Sequence, residues 1–130
     1  MAQRLIDEGA KYVKVDSMLL NSVMHAWLCS KDDSAALRVD KYLQQMEEAA
    51  EEDGHRCAIL PTSQSYSIAL LAWSHSNLSS KYERSIDVYQ RMQQQAAKSN
   101  PSVSLEDGLN QGLRRYIAVC QRQLEESAPN

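Results

Sequence analysis

Helix-breaking residues are scarce in this sequence. Four glycines and three prolines punctuate 130 residues, and the stretches between them are rich in Ala, Leu, Met, Gln, Glu, Lys and Arg, which lose least conformational freedom in a helix. Sustained alternation of β-branched and polar residues is also lacking, so a sheet has no source. Apolar runs are short. The longest, Ile68 to Trp73, falls far below the roughly 18 residues that cross a bilayer, and no membrane insertion is expected. Nor is there an excess of cations: 14 Lys and Arg stand against 17 Asp and Glu, a net charge of -3, which gives no global field for gathering phosphates.

Cysteine is limited to Cys29, Cys57 and Cys120, an odd number without a C-x-x-C pair. Asp7 and Glu8 stand where the apolar stretch of a signal peptide would lie. The expectation is an intracellular protein with reduced, mostly buried thiols. His25 and Cys29 are four residues apart, but no second pair with metal-ligand spacing accompanies them, and burial is the expected reason for their pattern. The acidic run from Glu47 to Asp53 reads as a solvated face. With no Ser/His/Asp or Cys/His constellation beside it, the chain is expected to be non-catalytic and without cofactor or metal.

What is present is helical periodicity. Ser17 to Ser30 contains no Asp, Glu, Lys or Arg and places Leu20, Val23, Met24 and Trp27 at helical spacing, which predicts a largely buried helix. A second stripe of Ala35, Val39, Tyr42, Leu43 and Met46 predicts its partner over 35–52. The pattern recurs over 63–76, again without those charges, and over 80–98, where Ser80 and Glu83 have the spacing of a capping box. Ser104 and Asp107 are placed to cap a last helix over 104–126, striped by Leu105, Leu109, Leu113, Ile117, Cys120 and Leu124. A shorter helical segment is expected before residue 10.

The two hairpins align at a fixed offset. Trp27 and Trp73 are 46 residues apart, and the same shift pairs Ala26 with Ala72, Ser30 with Ser76, Arg38 with Arg84, Gln44 with Gln90 and Met46 with Met92. A fixed period in helical pairs predicts an all-α solenoid of stacked antiparallel hairpins, because one hairpin alone cannot bury its apolar face. The expected single domain, 1–130, divides into the tail of a preceding repeat (1–15), repeats at 16–61 and 62–107, and a terminal capping helix at 108–130. Trp27 and Trp73 are then expected between layers.

The segment from Ser63 to Ser76, SQSYSIALLAWSHS, followed by a second helix ending Val88-Tyr89-Gln90-Arg91-Met92, resembles the pentatricopeptide repeat. Leu20 to Trp27 with Leu43 to Met46 is similar. That resemblance implies an RNA-associated helical-repeat module in an organelle, mitochondrion or plastid, reading single-stranded RNA one base per repeat. Carried over residue by residue, it makes Asn21 with Thr62, and Ser67 with Gly108, the candidate base-reading pairs; Gly108 has no side chain, and Leu113 is apolar. Arg114, Arg115 and Arg122 form the one basic cluster, suited to phosphate or to an acidic partner. The alternative is a protein-protein interaction subunit or adaptor of a larger complex that makes no RNA contact.

Overall fold

The computed structural model describes residues 16–53, 59–98, 103–104 and 108–127, and among them the chain is all-helical, with no strand. The expected helix before residue 10, Cys57, Leu105 and Asp107 lie outside the described residues. Five helices follow in order: α1 (Ser17–Ser30), α2 (Ala35–Asp53), α3 (Ser63–Ser74), α4 (Lys81–Ala97) and α5 (Gln111–Ser127). None of them is long and apolar enough to cross a membrane.

Consecutive helices pack on one another, and α3 touches all four of the others. That central position explains its composition. Tyr66, Ile68, Ala69, Leu70, Ala72 and Trp73 are all buried, and a helix enclosed on several sides has no surface on which a charge stays hydrated. The uncharged helix α1 differs. Only Leu20, Asn21 and Met24 are buried in it, while Met18 is 76% and Leu19 37% exposed. The expectation of a largely buried α1 is therefore corrected, because among the described residues its main packing partners are α2 and α3. The rest of the core comes from Val39, Leu43 and Met46 of α2, Val88 and Met92 of α4, and Leu113 and Ile117 of α5. Burying each such side chain contributes on the order of 1.5–3 kcal/mol.

Helix ends follow local chemistry, and two of them differ from expectation. Ser80 makes no side-chain cap bond. Its ψ of 6° already turns toward the helix, whereas a capping hydroxyl must approach from extended backbone. The capping box lies instead at Thr62, whose Oγ1 accepts from Ser65 N at 3.3 Å while Ser65 Oγ accepts from Thr62 N at 3.0 Å. Helix α5 starts at Gln111 rather than near Ser104, because Asn110 Oδ1 accepts from Leu113 N at 2.8 Å and takes the cap. Gly108 just upstream is packed so closely that a Cβ there would stand 2.1 Å from Ser104 O and 2.7 Å from Ser63 Cβ.

A charged cluster joins α2, α3 and α4. Arg91 Nη1 lies 2.9 Å from Asp40 Oδ1 and 2.9 Å from Asp87 Oδ2, and Arg91 Nη2 lies 2.9 Å from Glu47 Oε1. Tyr66 donates its hydroxyl to Glu47 Oε2 at 2.7 Å, and Trp73 donates Nε1 to Asp40 Oδ2 at 3.2 Å. Glu47 is thus not part of a solvated acidic face: its side chain is 16% exposed and that of Asp40 only 5%. Burial acts to lower the Arg91 pKa, but the Glu47 hydrogen bond and the charges of Asp40 and Glu47 outweigh it and raise it. The Tyr66 phenol is raised by burial first and then by the Glu47 carboxylate beside it.

Trp27 and Trp73 share one feature and differ in another. Arg38 lies over the Trp27 ring at 5.0 Å and Arg84 over the Trp73 ring at 5.8 Å, two cation–π contacts related by the 46-residue shift. Trp73 is fully buried, as expected of a residue between layers. Trp27 is only half-buried, because it stands on α1, the helix with fewer described neighbours.

Candidate functional site

The residues singled out for base recognition fall into contact in pairs. Asn21, in the first turn and a half of α1, donates Nδ2 to Thr62 Oγ1 at 3.1 Å and accepts Ser65 Oγ at Oδ1, 2.6 Å. Ser67 of α3 donates its hydroxyl to Gly108 O at 2.8 Å. Each pair spans 41 residues of sequence, and the two pairs are related by the 46-residue shift. The second contact uses a backbone carbonyl, which explains how Gly108 occupies that position without a side chain.

The first pair borders a depression of about 470 Å³ lined by Asp16, Met18, Asn21, Thr62 and Gln64, where the N-terminal ends of α1 and α3 lie side by side. Helix N-termini favour negative charge, but Asp16 already occupies one of them, its Oδ1 accepting from Leu19 N at 2.9 Å. Among the described residues, no Lys or Arg lines the depression. Asn21 is 5% exposed, with both ends of its carboxamide engaged within the chain. The family resemblance named Asn21 and Thr62 together as candidate base readers, and Ser65 beside them was overlooked. The S/T-x-x-S spacing from Thr62 to Ser65 was the available signal, a variant of the capping box.

The arginines do not act as one cluster. Arg114 turns back to donate Nε to Leu109 O at 3.2 Å. Arg115 and Arg122 project into solvent from α5.

His25 and Cys29 are both exposed, which corrects the expected burial; Cys29 Sγ lies 3.6 Å from His25 Nδ1. Cys120 is buried, and burial raises its thiol pKa, with Tyr116 and Ser85 as hydrogen-bonding neighbours that lower it. Among the described residues, no group of three or more His, Cys, Asp or Glu is placed to hold a metal ion. A second recess, of about 400 Å³, lies at the opposite ends of α1 and α3, with Leu28, Ala36, Leu71 and Ala72 inside and Asp33, His75 and Asn77 at its rim. Beside it Lys31 adopts a left-handed φ of 59° as the α1 helix ends, and Ser34 holds the Asp32 carboxyl below its ordinary pKa through hydrogen bonds from its hydroxyl and backbone.

Comparison with family models, with curated proteins and with solved structures finds no match to this chain.

Proposed function

We propose that the chain is a non-catalytic helical-repeat module of the pentatricopeptide type, which associates with single-stranded RNA along the edge where α1 and α3 begin. The observation that carries this reading is the pairing of Asn21 with Thr62 and of Ser67 with Gly108, at equal sequence separation and one 46-residue period apart. Two like contacts at a fixed shift are what stacked copies of one structural unit produce. In such an array the paired positions face one edge, and a polar pair there offers a donor and an acceptor to a base. Here the groups of each pair hydrogen-bond to one another, so a base would be read by exchange for those bonds.

Among the described residues no cation lines the depression, so these residues contribute little to phosphate contacts, and the affinity they supply is expected to be weak and to depend shallowly on salt. Titration of short single-stranded RNAs of defined base composition tests this. Binding whose base preference changes on Thr62→Asn supports the reading, and absence of binding even at low ionic strength overturns it.

A second reading, a protein-docking subunit without RNA contact, is favoured by one specific observation. Asn21 is engaged at both ends by Thr62 and Ser65, so a base must displace those bonds to be read. The same titration separates the two readings, since a subunit of that kind shows no base preference.

A further inference from the structure

Exposure removes burial as the reason for His25 and Cys29 standing four residues apart. Both side chains lie on the outer side of α1, where residues at that spacing are neighbours. Cys29 Sγ is 3.6 Å from His25 Nδ1 and 3.9 Å from Nε2. A tetrahedral zinc ion held at about 2.3 Å by sulfur and about 2.0 Å by an imidazole nitrogen sets those two atoms about 3.5 Å apart. The pair therefore has the separation of two corners of such a site, and a turn of the exposed ring about its Cβ–Cγ bond brings a nitrogen to face the ion. The repeat does not demand these residues, since 46 positions on they become Leu71 and His75.

Charge at this end of α1 suits a cation. Cys29 lies in the last turn of the helix, where carbonyl groups leave partial negative charge, and Asp32 and Asp33 follow against the single cation Lys31. Among the described residues no group of three or more ligands forms, so one chain supplies two corners and leaves two open. The face around them carries no charge: Met18, Leu19, Ser22 and Ala26 are exposed beside His25 and Cys29, and Ser22 and Ala26 are small enough for a second helix to approach closely. Such a face meets its own copy about a twofold axis without setting like charges together, and that copy brings the same two ligands to the axis.

We propose that His25 and Cys29 bind zinc together with the same two residues of a second copy, forming a tetrahedral centre of two imidazoles and two thiolates that joins the chains through α1. Each Cys29 thiol gives its proton to solvent as the sulfur binds, and each His25 binds through an unprotonated nitrogen. Zinc has no redox chemistry, so nothing is oxidised or reduced. The centre lies toward the end of α1, away from the edge where α1 and α3 begin, and its test does not depend on RNA.

The experiment uses the whole chain without a histidine tag, kept reduced by a phosphine, with zinc or cobalt(II) alone as the probe. Sedimentation velocity is expected to show a monomer in EDTA and a dimer once half an equivalent of zinc per chain is present. Cobalt(II) is expected to give the strong visible bands of tetrahedral coordination and a thiolate charge-transfer band, both saturating at one ion per two chains. Cys29→Ser and His25→Ala should each weaken cobalt binding roughly 10-fold or more and abolish the metal-dependent dimer. Cys57→Ser should change neither. Circular dichroism matching the parent shows that the variants, altered at exposed positions, remain folded.

Absence of the tetrahedral and charge-transfer bands overturns the proposal. So does saturation at one ion per chain with the protein still monomeric, since the second copy then supplies no ligand. A dimer equally present in EDTA shows that the contact does not need the ion, and the proposal fails. It fails as well if the metal-dependent dimer survives Cys29→Ser or is lost with Cys57→Ser, because the ligands then lie elsewhere in the chain.

Discussion

Arg91 brings one positive charge to three carboxylates, two of which are largely withdrawn from solvent. Removing it would leave Asp40 and Glu47 without their cation in a site that Tyr66 and Trp73 also enclose. Breaking one side of a buried ion pair is far more costly than the pair is worth, so Arg91→Met is expected to lower stability by about 3–5 kcal/mol in urea unfolding. The tryptophans give a graded comparison. Trp73→Ala should cost about 3–5 kcal/mol because the side chain is fully enclosed, and the half-buried Trp27 should cost about 1–2 kcal/mol when replaced by alanine; a reversed order in thermal or urea denaturation would contradict the burial pattern. Two phenols set a pH dependence. Tyr66 is raised by burial and then by Glu47, and Tyr116 by burial chiefly. A phenol whose folded pKa is raised contributes stability fully below its unfolded value, near about 10, and that contribution is lost as pH rises beyond it. Stability should therefore decline above that pH, with phenolate absorbance showing a fraction of the tyrosines ionising only as the chain unfolds.

Among the helices, caps decide where the chain turns. Thr62 serves both α3 and the contact with Asn21, so Thr62→Ala is expected to cost about 1–2 kcal/mol, whereas Ser80→Ala, which removes no cap bond, should be within ~0.5 kcal/mol of the parent. Measuring the two side by side in one denaturation series checks the assignment, and equal effects would refute it. The helices themselves were legible in the sequence, since apolar spacing and scarce glycine and proline state where a helix can run. Their ends were less so. Ser80 and Glu83 carry the right residue types, but a cap depends on the backbone angle at one residue, which composition does not convey. The late start of α5 depends on Gly108 lying hard against Ser63 and Ser104, a contact between distant parts of the chain. The family resemblance named Asn21 with Thr62 and Ser67 with Gly108 as base readers; that these residues hydrogen-bond to one another, and that Ser65 also satisfies Asn21, was not legible. The charged cluster was missed although α2 held a clue: Asp40 and Glu47 lie along the same stripe as Leu43, and a carboxylate in an apolar stripe calls for a buried partner. The identity of that partner, 51 residues away from Asp40 in the sequence, is set by packing alone.

For the whole molecule, the question is whether the two hairpins fold as one. Helix α3 touches each of the other four helices, so its apolar side chains cannot leave one neighbour without exposing surface to several. Arg91 of α4 reaches Asp40 and Glu47 of α2 across α3, which itself contributes Tyr66 and Trp73 to the same cluster. Coupling through shared core and shared charge makes neighbouring helical units unfold together when the energy of their interface exceeds the instability of each unit alone. Urea unfolding followed by tryptophan fluorescence and by far-ultraviolet circular dichroism should accordingly give superimposable single transitions. Fluorescence reports on α1 and α3, where the two tryptophans reside, while dichroism reports on all five helices. Arg91→Met should move both curves to lower denaturant together, because the apolar contacts of Ile68, Leu70 and Trp73 in α3 persist after the charge is gone. In a double-mutant cycle with Asp40→Asn, the two substitutions should be non-additive by about 1 kcal/mol or more, since they act on a single ion pair. A biphasic dichroism curve in the parent chain, with fluorescence following only one phase, would show that the hairpins separate before they melt and that α3 does not hold them as a unit.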